Sequence, residues 1–158
     1  MNYLMVLKVL GNVIKYEALV MILPLIVSVY YGGGDTNSFI VTIIIMLIIG
    51  VFMSLINPKK KTFYAKDGFL AVAICWVAIS IFGALPFYIS GSIPSFVDCI
   101  FETVSGFTTT GATILQEVQS LPKGILFWRS FTHWIGGMGI LIFTLALMPS
   151  IGGNTIHL

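Results

Sequence analysis

Phe101-Glu-Thr-Val-Ser-Gly-Phe-Thr-Thr-Thr-Gly-Ala-Thr-Ile-Leu115 is too polar and too short to cross a bilayer, yet it stands between two long apolar segments that could. Hydroxyls crowd its centre at Thr108, Thr109, Thr110 and Thr113, around a single glycine, Gly111. The pattern predicts a re-entrant loop. A short helix enters the membrane, stops near Gly106, and the chain returns as extended backbone. Non-helical backbone at membrane depth is tolerated only where protein or a water-filled cavity surrounds it.

Such a loop suits a dehydrated cation. Extended backbone supplies one carbonyl per residue, β-branched threonine favours extension, and its hydroxyl adds a further oxygen. Gly111 opens a backbone angle closed to other residues. The short helix would point its C-terminal end, about half an elementary negative charge, at the same place. An anion site would want helix N-termini there instead. An ordinary polar turn between two helices is the plainer reading of the same residues.

Composition places the loop in a membrane. The 158 residues are 58% hydrophobic and 9% charged, with a mean hydropathy of +1.03. A soluble domain carries roughly 25% charged residues, so this chain lacks the polar surface such a domain needs. A net charge of +2 gives no footprint for nucleic acid. Cys75 and Cys99 lack metal-ligand spacing and read as small packed hydrophobes. No nucleophile–base pair, nucleotide fingerprint or zinc motif is present, which argues against an enzyme. Lys8 and Lys15 precede an apolar run without a small-residue cleavage site, so that run reads as a retained helix.

A bilayer core of about 30 Å takes roughly 20 apolar residues in a helix. Candidate spans run over 3–31 (kinked at Pro24), 38–56, 68–90 and 124–149. Gly32 to Asn37 reads as a flexible loop. Pro86, Phe87 and Tyr88 read as an interfacial anchor, and Trp76 as a helix-packing residue. The expected organisation is an all-α polytopic membrane protein. Residues 1–57 would form an N-terminal helix pair and 58–67 a basic cytoplasmic loop. Residues 68–150 would form one helix–pore loop–helix repeat, with a pore helix over about 94–107, started by Ser92 and Pro94, and a filter at 108–113. Residues 151–158 would be a truncated cytoplasmic tail. Lys59, Lys60, Lys61 and Lys66 crowd one short loop, which places that loop inside. The chain would then start inside, and the pore loop would dip in from outside.

Asp98 and Glu102 lie four apart on one helix face. They read as ion ligands or, preferably, as a structural pair or a helix N-terminal charge preference. Arg129 falls early in the last span, where an arginine needs a partner. Glu102 is the first candidate and Asp98 the second. His133 could relay protons, but a packed, hydrogen-bonded histidine is the simpler expectation. The Gly136–Gly139 cluster could be a hinge or a site of close helix packing.

Residues 101–113, followed by Phe127-Trp-Arg-Ser-Phe-Thr-His-Trp-Ile-Gly-Gly-Met-Gly-Ile140, resemble the first pore repeat of the TrkH/KtrB potassium-uptake proteins. The resemblance covers about residues 65–150, and the two preceding helices resemble the extra N-terminal pair of the TrkH branch. It implies four tandem repeats around one pore, with K+ as the transported ion held by backbone oxygens. Thr109, Thr110 and Gly111 would match the filter core, with Ala112 beside it. It also implies a cytosolic nucleotide-binding ring of TrkA or KtrA type, a homodimer, and a plasma membrane, bacterial or archaeal; symport and passive conduction both remain open. The chain ends after one repeat, without the other filters or the gating loop of a later repeat. That favours a fragment of a longer transporter over several assembled copies. A homotetrameric channel with one pore loop per chain, and a non-conducting scaffold, are the competing expectations.

Overall fold

The computed structural model describes residues 3–56 and 65–151, with side chains described for 3–56, 67–139 and 141. Lys59, Lys60 and Lys61 and residues 152–158 of the expected tail lie outside the described residues, as does the side chain of Lys66. Six helices follow in order: α1 (Tyr3–Val20), α2 (Ile22–Tyr30), α3 (Thr36–Ser54), α4 (Ala65–Ile89), α5 (Phe96–Phe107) and α6 (Lys123–Ile151). Among the described residues, three stretches are long and apolar enough to cross a membrane: Tyr3–Tyr30, Thr36–Ser54 and Asp67–Ile89.

The first stretch is two helices rather than one kinked helix, and Pro24 explains where the break falls. Proline has no N–H to give to the carbonyl four residues back, and its ring crowds that carbonyl. That carbonyl belongs to Val20, the last residue of α1. Backbone bonds from Met21 N to Glu17 O (2.9 Å) and from Leu25 N to Met21 O (3.2 Å) carry the chain across the break.

α3 shows how the bundle solves burial in lipid. Its buried face is Ser38, Thr42, Met46 and Gly50, four residues apart. Its exposed face is Ile40, Ile44, Ile48 and Phe52. Small and polar residues, with Phe39 and Met46, therefore face protein, while the isoleucines at 40, 44 and 48 and Phe52 face outward. Lipid tails are as apolar as leucine, so helices associate through close backbone approach and hydrogen bonds rather than through hydrophobicity. The hydroxyl of Thr42 accordingly donates to Ser38 O at 2.7 Å. Gly50 meets Gly11 of α1 so closely that a Cβ on Gly11 would stand 2.6 Å from Met53 Cβ and 2.9 Å from Gly50 O.

α4 ends at Ile89, where Gly91 takes a positive φ of 70° and turns the chain. The expected interfacial anchor is only partly such. Pro86 and Phe87 are buried, and Tyr88 alone faces outward, edge-on to Phe96 at 5.4 Å. Pro86 lies inside α4 and weakens the helix's own hydrogen bonding there. Trp128 Nε1 of α6 donates into this turn, to Gly83 O at 2.9 Å.

One buried group has no match. Glu17 of α1 is 8% exposed, and neither carboxylate oxygen finds a hydrogen-bond partner among the described residues. Its neighbour is the Cα of Gly83, where a Cβ would stand 3.1 Å from Glu17 Oε1. A buried polar group without a hydrogen bond costs about 1–3 kcal/mol in protein substitutions. Glu17→Met keeps a similar volume and is expected to raise stability by about 2 kcal/mol. Thermal unfolding in detergent checks this; an unchanged or lower midpoint would show that Glu17 has a partner.

Candidate functional site

The candidate site is the end of α5 and the loop that follows. α5 begins at Phe96, two residues after the start expected from Pro94. Ser95 is the reason. Its backbone is extended (φ −93°, ψ 126°) and its hydroxyl accepts from Asp98 N, so it is the N-cap. Asp98 sits in the first turn, where an acid is favoured by the helix dipole.

α5 ends within one residue of Gly106. It runs to Phe107 and closes in a Schellman motif. Thr110 N donates to Ser105 O at 3.0 Å, and Thr109 N to Gly106 O at 2.9 Å. This motif demands a left-handed residue just past the helix, usually glycine. Here it is Thr109, with φ 57°. A left-handed conformation costs a β-branched residue about 1–2 kcal/mol, so neighbouring contacts must hold it. Gly111 has φ 76°, which glycine adopts without strain.

Three attachments supply that hold. Ser105 Oγ donates to Ala112 O at 2.6 Å, which turns the Ala112 carbonyl toward α5. Thr108 Oγ1 donates to Val104 O at 2.7 Å and lies 2.8 Å from Thr110 Oγ1. Glu102, 1% exposed, receives Thr113 Oγ1 at 3.0 Å and Ile114 N at 3.3 Å. The loop is thus sewn back onto its own helix at both ends. Its outer side is open: residues 108–114 are all exposed in this chain.

Arg129 of α6 completes the support. Its Nε lies 2.6 Å from Glu102 Oε1. One carboxylate therefore ties α5, the returning loop and α6 together. His133 Nδ1 donates to Arg129 O at 2.9 Å, one turn back on its own helix. Trp76 of α4 and Trp128 of α6 both stand edge-on to Phe107, each at 6.4 Å. Gly136 presses its backbone against Phe107, and a Cβ there would collide with the Phe107 carbonyl oxygen. α6 runs unbroken through the glycine cluster, which is a close-packing surface in this structure.

Sequence reasoning missed three contributors. Ser105 and the Thr113 hydroxyl act through contacts 7 and 11 residues away in the chain, which no local signal reports. Asp35, expected in a flexible loop, is 1% exposed and accepts a hydrogen bond from Ile125 N at 2.9 Å. Cys75 and Cys99 are free thiols, and Cys99 Sγ lies 3.5 Å from Ile93 O.

A half-length helix, a pinned hydroxyl-rich loop and flanking apolar helices define a polytopic all-α membrane protein. Residues 35–158 match the TrkH family, described as cation transport proteins, and the chain belongs to that family. It is 36% identical over 154 residues to the Trk system potassium uptake protein TrkH of Halomonas elongata, covering 96% of this chain and 32% of that one. It is 38% identical over 153 residues to an uncharacterized cation transporter of Methanocaldococcus jannaschii, covering 97% of this chain and 32% of that one. The crystal structure of the potassium transporter TrkH from Vibrio parahaemolyticus superposes with a TM-score of 0.89 at 34% identity, over 99% of this chain and 34% of that one. The chain spans about a third of the length of the relatives it matches.

Proposed function

We propose that this chain forms the N-terminal part of the membrane-embedded subunit of a Trk-type potassium uptake system. Residues 108–113 form one repeat's contribution to the selectivity filter. Backbone oxygens of Thr109, Thr110 and Gly111 face the ion, and Ala112 closes the loop with its carbonyl turned to Ser105. The observation that carries this reading is the strained Thr109, held left-handed between three attachments while residues 108–114 stay exposed. A loop built only to connect two helices has no need of such a hold. A filter does, because its oxygens must stay at a fixed spacing to replace an ion's hydration shell.

The remaining parts follow from the family. α6, with 29 residues, is the fourth span. The basic segment 58–67 lies on the cytoplasmic side of a plasma membrane, and the loop dips in from outside. Further repeats complete the pore, and a cytosolic nucleotide-binding ring of TrkA type gates a homodimer. Glu102 and Arg129 act as structural supports and do not touch the ion.

The test is rubidium uptake by the full-length protein in cells lacking potassium uptake. Gly111→Ser forces serine into a left-handed angle at about 1–2 kcal/mol, which is roughly a 5- to 30-fold change in the population of the native loop. Uptake, or its preference for rubidium over sodium, is expected to fall by about that factor at equal protein level. Wild-type uptake and preference in Gly111→Ser would leave the loop as a packing element.

A further inference from the structure

α6 begins without a local cap. Pro122 occupies the N-cap position, with Leu126 N bonded to its carbonyl at 2.9 Å, and proline has no side-chain acceptor for the first N–H groups. Such orphan donors need a partner when buried. The partner comes from 90 residues away: Asp35 Oδ2 accepts from Ile125 N at 2.9 Å. Asp35 is itself fixed, because Ser28 Oγ donates to its Oδ1 at 2.6 Å and Ser38 Oγ donates to its carbonyl at 2.5 Å. The fit leaves no room. A Cβ on Gly124 would collide with Asp35 Oδ2 and stand 2.7 Å from Ser28 Cβ and 3.0 Å from the Phe39 ring.

Arg129 follows Ile125 by one helical turn and shares its face. Its Nε holds Glu102 at 2.6 Å, and Glu102 holds Thr113 and Ile114 N. An unbroken line of polar contacts therefore joins the loop between α2 and α3 to the exit of the loop at 108–113. Its middle link is the first two turns of α6, from Lys123 to Arg129.

We propose that Asp35 is a positioning residue for ion selection. The N-terminal helix pair sets the height and rotation of α6 through Asp35, and thereby where Arg129 and Glu102 place the Thr113 end of the filter. This rests on reading 108–113 as a filter. The first two spans, α1 to α3, are then part of the selectivity apparatus, not only a membrane anchor.

The experiment measures rubidium and sodium uptake by the full-length protein, with membrane-inserted protein quantified in the same cells. Asp35→Ala is expected to lower the rubidium-to-sodium ratio by about 5- to 150-fold, the usual span of coupling between two sites. Gly124→Ala keeps the carboxylate but displaces it, and is expected to lower the ratio in the same direction. Asp35→Asn keeps an acceptor for Ile125 N and is expected to restore most of the ratio. If Asp35→Ala fails to insert, Ser28→Ala, which removes the hydroxyl's bonds to Asp35 Oδ1 and Thr36 Oγ1, replaces it beside Gly124→Ala. Uptake falling only in proportion to inserted protein, with an unchanged ratio in these variants, overturns the proposal while leaving the filter reading intact. An unmodified protein that does not discriminate, or a Gly111→Ser variant with wild-type uptake and a normal ratio, overturns the filter reading itself and this proposal with it.

Discussion

Glu102→Gln is expected to destabilise the protein by about 3–5 kcal/mol, the range for breaking a buried ion pair from one side. The size follows from how many groups depend on one carboxylate. Arg129 Nε sits 2.6 Å away with its side chain 16% exposed, and Glu102 has none of its own side chain exposed. Glutamine keeps the shape and one acceptor oxygen, but removes the negative charge and leaves the guanidinium uncompensated in an apolar setting. The Thr113 hydroxyl, now bonded to both carboxylate oxygens at 3.0 Å, and Ile114 N lose charge-assisted acceptors. Hydrogen bonds to charged groups contribute about 1.5–3 kcal/mol each, against about 1 for neutral ones. Arg129→Gln is expected to cost a similar amount, because it strands the carboxylate instead.

A double-mutant cycle separates the pair from its surroundings. Combining Glu102→Gln with Arg129→Gln removes both charges, so the double variant is expected to be less damaged than the sum of the singles by about 0.5–3 kcal/mol. Thermal unfolding in detergent gives the three differences. Strict additivity would mean that the two side chains do not depend on each other.

Gly136→Ala is expected to cost about 3 kcal/mol, the upper end for overpacking a filled core, although alanine is the better helix former by about 1 kcal/mol. The obstacle is backbone. An added Cβ would collide with the Phe107 carbonyl oxygen and stand 2.6 Å from its carbon and 2.8 Å from its Cα. A side chain can rotate out of the way, but Phe107 is the last residue of α5 and is held between Trp76 and Trp128. The helix end must move, and the loop moves with it. The neighbouring glycine provides the contrast. A Cβ on Gly137 meets only Thr109 Cγ2, at 3.8 Å, an ordinary contact. Gly137→Ala is therefore expected to be neutral or to stabilise by up to about 1 kcal/mol. Equal losses at both positions would show that the cluster needs flexibility, not closeness.

Sequence and structure divide at particular residues. The membrane class was legible because 9% charged residues cannot cover a soluble surface. The apolar segments were legible because bilayer thickness sets their length. Helix ends were less so. Pro24 announces a disturbance in the first span, but the break lands at Met21, since the carbonyl that proline disables lies four residues back. Pro94 suggested the start of α5, but Ser95 is the residue whose hydroxyl reaches a free N–H. The glycine cluster 136–139 admitted two readings, and only the position of Phe107 chooses between them.

The sequence by itself determined the class, the helical segments and the short polar stretch that cannot cross the membrane. Those are local properties: hydropathy summed along a segment, the missing N–H of proline, the hydroxyls of adjacent threonines. Tertiary structure decided what each polar group meets. The chain has six acidic residues, and an arginine early in an apolar helix is favoured to pair with one of them. That Arg129 meets Glu102, while Asp98 stays at the helix start, depends on how α5 lies against α6. That Asp35 caps a helix 90 residues away depends on two loops meeting at one end of the bundle. Contacts of this kind join residues far apart in the chain, and they are set by the packing of whole helices, which no short window of sequence contains.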